Sequence, residues 1–215
     1  MHVKICGLTN LSDARVAVEV GADLLGFNFY KPSPRFVEPE QAAYIIVALR
    51  DEFPQHEFHC VGVFVNCARE ETLRIQQQCQ LDGLQLHGDE TVDDVRVLGE
   101  AAFKALRPKS AAEVEKWLNA FAREAVSVTP RFLVDSSHPS LYGGTGATGN
   151  WTIARDIAAR YPILLAGGLT AENVSDAIRA VRPWGVDAAS GVERAPGLKD
   201  AAKVRQFVAQ AKRAE

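Results

Sequence analysis

Residues 2–29, HVKICGLTNLSDARVAVEVGADLLGFNF, carry the pattern that decides the fold. A short apolar run (2–6) gives way to apolar positions at helical spacing (12–20), and a second apolar run (23–29) follows Gly21-Ala22-Asp23. Read outward, this alternation recurs along the whole chain. Strands are predicted at 2–6, 23–29, 59–65, 82–86, 102–106, 131–135, 162–166 and 184–189. Helices are predicted near 12–20, 39–50, 69–79, 91–99, 111–125, 151–160, 171–181 and 199–213. Most of the strands are near-continuous apolar runs, as strands covered on both faces must be. One strand–helix unit per roughly 27 residues is the arithmetic of a minimal parallel barrel. The expected fold is therefore α/β, a single (βα)8 TIM barrel with residues 1–215 as one catalytic domain. An open doubly wound sheet is the alternative, but it would show fewer strands and a dinucleotide fingerprint after the first.

Composition narrows the function classes. Of 215 residues, 47% are hydrophobic and 24% charged, ordinary for a globular protein able to bury a core without disulfides or structural metal. The net charge of −3 has interspersed signs, which gives no field for nucleic acid or an anionic membrane. Cys6, Cys60, Cys67 and Cys79 have no CxxC spacing and read as free thiols. With no apolar run long enough to span a membrane and no signal pattern ahead of the first strand, the expected location is cytoplasmic.

In a parallel barrel, chemistry sits at the C-terminal ends of the strands. That rule selects Cys6, the segment Asn28 to Arg35, Asn66, His87, Arg107, Asp135, Gly167-Gly168 and Ser190-Gly191. Cys6 shares a strand face with Lys4, whose ammonium would favour a thiolate if that face is interior; a small buried cysteine is the plainer reading. Cys67 is the fallback thiol. Asp135 ends an apolar strand and is either a catalytic carboxylate or a turn cap. The loop 136–150 satisfies GxGxxG only formally, too far from its strand for a dinucleotide motif, and fits a glycine-hinged lid better.

Gly167 and Gly168 follow strand seven, with Thr170 placed to cap the next helix. Ser190-Gly191-Val192-Glu193 follows strand eight and has the form of a capping box that opens a short helix. Together they match the place where barrels bind phosphate. Arg35 is presented on the stiff Ser33-Pro34 turn, where its guanidinium could clamp a carboxylate or simply be solvated. His87, after strand four, is read as supporting the pocket lining and not as a catalytic group. The five histidines form no metal-ligand spacing, and no metal or cofactor is expected. At Gly21 and Gly83, glycine suits a left-handed residue between helix and strand.

Lys4-Ile5-Cys6-Gly7-Leu8-Thr9, Ser33-Pro34-Arg35, Gln85-Leu86-His87-Gly88, Asp135-Ser136 with Gly143-Gly144-Thr145-Gly146, Ala166-Gly167-Gly168-Leu169 and Ser190-Gly191-Val192-Glu193 resemble, in order, the phosphoribosylanthranilate isomerases of tryptophan biosynthesis. The resemblance implies an Amadori rearrangement of a phosphorylated small molecule, with Cys6 as general base and Asp135 as general acid. It further implies that Arg35 meets the anthranilate moiety and that Gly167, Gly168, Ser190 and Gly191 hold the phosphate. A monomer or homodimer is expected. An indoleglycerol phosphate synthase would need catalytic lysines at strand ends, where Lys4 and Lys104 lie too deep. A pentose-phosphate epimerase would need a histidine–aspartate metal set. A barrel that binds a phosphorylated ligand without catalysis is the rival from another class.

Overall fold

The computed structural model describes residues 1–108, 110–121, 130–136 and 151–214. Eight strands, β1 (His2–Cys6), β2 (Leu24–Asn28), β3 (His59–Phe64), β4 (Gly83–Leu86), β5 (Ala102–Leu106), β6 (Phe132–Asp135), β7 (Ile163–Ala166) and β8 (Gly185–Ala188), close in sequence order into a barrel. Every adjacent pair is parallel, including the β1–β8 seam. The helices α1 (Leu11–Glu19), α2 (Pro39–Glu52), α3 (Arg69–Cys79), α4 (Val92–Leu98), α5 (Ala111–Phe121), α6 (Trp151–Ala158), α7 (Val174–Val181) and α8 (Ala201–Arg213) alternate with them. The expected barrel is present, with strand bounds within one residue of those read from the sequence. Residues 122–125 of the fifth predicted helix fall outside the described residues.

Two apolar layers explain why the strands lack an alternating polar face. Leu24, Val61, Phe103, Leu133 and Leu164 fill the barrel interior. Neighbours such as Val3, Ile5, Leu25, Phe132 and Val186 point outward and pack with helix residues including Ala14, Ile45, Ile157 and Phe207. Burying each large apolar side chain contributes about 1.5–3 kcal/mol, so both layers favour closure.

The N-terminal rim is built for stability. Gly21, at φ +84°, ends α1 with hydrogen bonds back to Val18 and from Ala22 to Ala17. The parallel expectation at Gly83 is corrected: Gln80 takes the left-handed position after α3, at φ +52°, while Gly83 lies within β4. Glycine there leaves room for Val61, whose Cγ2 would stand 3.3 Å from a Cβ. Two aspartates repeat one device. Asp23 accepts from the Val3 N–H and Asp82 from the Cys60 N–H, each at 2.7 Å, tying a turn to the start of the preceding strand.

The helix starts differ from expectation in two places. α7 begins at Val174, not 171, with Asn173 at its cap. Thr170 instead opens the preceding turn, its hydroxyl accepting from Glu172 N–H and its own N–H donating to Asn173 Oδ1. After β8, a 3-10 turn (Ser190–Val192) leads into an antiparallel hairpin, β9 (Glu193–Ala195) and β10 (Leu198–Lys199). The expected Ser190–Glu193 capping box is absent, because Glu193 faces two cations instead.

Asp82→Ala should cost about 1–2 kcal/mol in a urea titration, since it strands the Cys60 N–H, while leaving kcat/KM at the opposite rim unchanged.

Candidate active site at the C-terminal rim

Cys6 is the last residue of β1 and only 8% exposed. It pairs in register with Gly26 of β2, and a Cβ on Gly26 would stand 2.8 Å from Cys6 Sγ and 3.0 Å from Lys4 Nζ. Glycine at 26 therefore makes the space that thiol and ammonium share. Lys4 is fully buried and its Nζ donates to Asp187 Oδ1 at 2.8 Å. Burial works against its charge most strongly, yet Asp187 and then Cys6 more than offset it, holding the Lys4 pKa above the ordinary lysine range. The interior face thus carries a permanent cation beside the Cys6 sulfur.

Asp135 ends β6, two residues beyond the interior-facing Leu133, and is 19% exposed. Arg107 Nε lies 3.9 Å from its Oδ2. Ser136 donates to the Ala166 carbonyl at 2.9 Å, anchoring the departure of the chain. The predicted lid continues over 137–150, outside the described residues. Beside Asp135 opens a cleft of about 880 Å3 lined by Asn28, Tyr30, Asn66, His87, Arg107 and Trp117 among others. Cys6 and the β7 and β8 loops lie outside its lining, on the strands that follow β6 round the barrel.

His87 is itself among the residues that line the cleft. Gln85 Nε2 lies 2.9 Å from its Nδ1, so the amide donates there and the ring proton is assigned to Nε2. That Nε2 is buried and has no hydrogen-bond partner among the described residues. Burial, then Arg107, push its pKa down to about 4. His87 is consequently a neutral imidazole with a donor to offer.

Its loop is held by a network that sequence reasoning missed. Glu90 accepts from the N–H groups of Asn66 (2.7 Å) and Gly88 (2.8 Å), and from Lys104 Nζ (2.9 Å). Lys104 also donates to the Leu86 and Gly88 carbonyls, on the outer side of the barrel. Its ammonium is therefore directed at the loop after β4, where Lys104 also lines the cleft. Gly88 must be glycine, because a Cβ would collide with the Asn66 amide. Only the short spacing of Asp89-Glu90 after a strand end hinted at this.

Arg35 does clamp a carboxylate bidentately, along its Nε–Nη2 edge, and the carboxylate belongs to Glu193: Nε to Oε1 is 2.8 Å and Nη2 to Oε2 is 2.7 Å. Its stem lies on Gly7, at φ +77°, where a Cβ would stand 2.6 Å from Arg35 Cδ. Lys199 Nζ donates to Glu193 Oε1 at 3.0 Å and to the Ala189 carbonyl at 3.1 Å. Burial pushes the Glu193 pKa upward, but Arg35 and Lys199 outweigh it and hold the carboxyl below the usual range.

Gly167 and Gly168 both take positive φ, +102° and +66°. Gly191 packs directly on the Leu169 carbonyl, so the loops after β7 and β8 touch and no side chain fits between them. Gly167, Gly168, Ser190 and Gly191 form one continuous stretch of rim. Burial pushes the thiols of Cys60 and Cys79 up to about 12 and about 11. Cys67 is half-buried in the loop after β3. Among the described residues no group of three or more His, Cys, Asp or Glu is placed to hold a metal. No helix among them is long and apolar enough to cross a membrane.

Two outcomes follow from this geometry. Gly26→Ala should lower kcat by at least about tenfold, measured beside an unchanged circular dichroism spectrum, because its methyl displaces the sulfur or the ammonium. The unfolded chain protonates His87 near pH 6.5, the folded protein only near pH 4. His87 therefore favours the folded state fully above about pH 6.5 and progressively less as pH falls to about 4. That loss, on the order of 3 kcal/mol, should be missing from urea titrations of His87→Asn over the same interval.

Comparison with known proteins agrees with this architecture. Residues 3–210 match the family model described as N-(5'phosphoribosyl)anthranilate (PRA) isomerase. An N-(5'-phosphoribosyl)anthranilate isomerase from Trichlorobacter lovleyi is 50% identical over 215 residues, covering 100% of this chain and 99% of that one. The phosphoribosyl anthranilate isomerase structure from Thermotoga maritima superposes with a TM-score of 0.85 at 40% identity, covering 99% and 98% of the two chains. Another solved phosphoribosyl anthranilate isomerase, in complex with reduced 1-(o-carboxyphenylamino)-1-deoxyribulose 5-phosphate, gives a TM-score of 0.82 at 37% identity, over 99% and 98%. The chain belongs to the N-(5'-phosphoribosyl)anthranilate isomerase family.

Proposed function

We propose that residues 1–215 act as one catalytic domain in which Cys6 is the general base and Asp135 the general acid of the family reaction. The enzyme is an isomerase of tryptophan biosynthesis, converting N-(5'-phosphoribosyl)anthranilate to 1-(2-carboxyphenylamino)-1-deoxyribulose 5-phosphate. Asp135 donates a proton to the ribose ring oxygen. The bond from C1′ to that oxygen breaks, and the anthranilate nitrogen lone pair completes an iminium. The Cys6 sulfur then takes the C2′ proton, and the C–H electron pair forms the C1′–C2′ double bond of an enolamine. Tautomerisation places a proton on C1′ and releases the one on the 2′-hydroxyl, leaving the ketone. Atoms and charge balance without an oxidant.

The observation that carries this reading is the shared interior face at the rim: Cys6 closes β1 beside Lys4, and Asp135 closes β6 with two strands between them. An acid and a base on separate sides of one sugar is what the reaction needs. Gly167, Gly168, Ser190 and Gly191 would receive the phosphate through backbone N–H groups, and Arg35 the anthranilate carboxylate. The one phosphorylated small molecule spans these subsites. All these groups come from one chain, so a monomer or a homodimer carries a complete site. A cytoplasmic location fits four unpaired thiols.

Following anthranilate fluorescence with freshly made substrate tests the assignment. Cys6→Ala and Asp135→Asn should each lower kcat by about 10²–10⁴-fold, while a product analogue still binds. Near-normal turnover by Cys6→Ala would remove the thiol from the mechanism, and no turnover by the wild type would favour the binding-only reading.

A further inference from the structure

The hairpin after β8 brings distant parts of the rim together. A Cβ on Gly197, at its turn, would stand 2.8 Å from the Pro34 carbonyl oxygen, and the Gly197 carbonyl accepts from Thr9 Oγ1 at 2.6 Å. Glu193 lies between the phosphate-side turn and the Arg35 loop. Its Oε1 also lies 3.3 Å from the Gly197 N–H, so its carboxylate is fixed from three directions. Arg35 is gripped along its Nε–Nη2 edge with its stem laid on Gly7. Glu193 leaves the other fork, Nη1 with the outer N–H of Nη2, disengaged. A planar guanidinium can serve one carboxylate on each edge.

We propose that Glu193, steadied by Lys199, is a positioning residue for substrate recognition, fixing Arg35 by one edge so that the other is preset for the anthranilate carboxylate. The proposal rests on the reading that Arg35 meets that carboxylate. An arginine held by a buried, immobile partner loses little further side-chain freedom on binding, which lowers the cost of recognition. The same carboxylate would otherwise have to order a long, mobile side chain. Glu193 acts through Arg35 and not on the reacting atoms, so it should govern KM and spare kcat.

Steady-state kinetics of Glu193→Gln, Arg35→Lys and the double variant test this, with inorganic phosphate as a competitive inhibitor. Glu193→Gln should raise KM about 10- to 30-fold with kcat held within about threefold, the scale of one charge-assisted hydrogen-bond pair. Arg35→Lys should raise KM similarly, and the double variant should be no worse than the weaker single variant, because one interaction is lost twice. The inhibition constant for phosphate should stay within about twofold, since a neighbouring loop holds that group. Glu193→Asp keeps the charge on an arm one methylene shorter and should also raise KM, which covers the case of Glu193→Gln failing to fold. An unchanged or lowered KM in the Glu193 variants, additive losses, or phosphate affinity falling in step with KM would each overturn the proposal. An unchanged KM for Arg35→Lys would instead overturn the underlying reading of Arg35.

Discussion

One buried ion pair joins the structure to its chemistry. Lys4 and Asp187 stand opposite each other in the register of β1 and β8, at the seam where the barrel closes, with Nζ and Oδ1 2.8 Å apart. Such a pair is weak support for stability, because desolvating both ions offsets most of their attraction, whereas removing one partner costs about 3–5 kcal/mol. A pair of leucines would close the seam as well. What apolar residues could not do is hold an ammonium under the Cys6 sulfur, in the space that Gly26 leaves. The interior layer of Leu24, Val61, Phe103 and Leu133 below it sets the depth at which that charge sits.

The rim around the pair is divided by the order of the strands. β7, β8 and β1 carry the bare glycine loops and the thiol; β4, β5 and β6 carry His87, Arg107 and Asp135 beside the cleft. A substrate with a phosphate at one end and an aromatic acid at the other can lie across this division. Charge is arranged accordingly. Lys4, Arg35 and Lys199 all feel Cys6; Lys4 pairs with Asp187 while Arg35 and Lys199 share Glu193, so three cations face two carboxylates and positive charge is concentrated there. His87 is the neutral member, kept so by burial.

Much of this was legible in the sequence because it depends on local pattern. Near-continuous apolar runs marked the eight strands, and the rule that barrels work at their C-terminal rim picked out Cys6, Asp135 and the glycine pairs. Gly21 was readable as a left-handed helix end; the reason for Gly83 was not readable, because it is packing against Val61 on the neighbouring strand β3. The capping box at Ser190–Glu193 failed for a similar cause. Its spacing was right, but Arg35, 158 positions away, and Lys199 on the returning strand attract the glutamate more strongly than the turn does. Lys104 with Glu90 escaped notice because a lysine inside a strand gives no sign of which side of the sheet it occupies until its partner is placed. Long-range charge pairing is what a one-dimensional reading lacks.

The central claim is that Cys6 and Asp135 address two different atoms of one sugar from the interior face. A crystal structure with the reduced product analogue measures this most directly. The account predicts C2′ within about 3.5 Å of Cys6 Sγ and the 4′-oxygen within hydrogen-bond reach of the Asp135 carboxylate. An analogue whose C2′ faces Asp135, or whose sugar lies out of reach of the thiol, would contradict it.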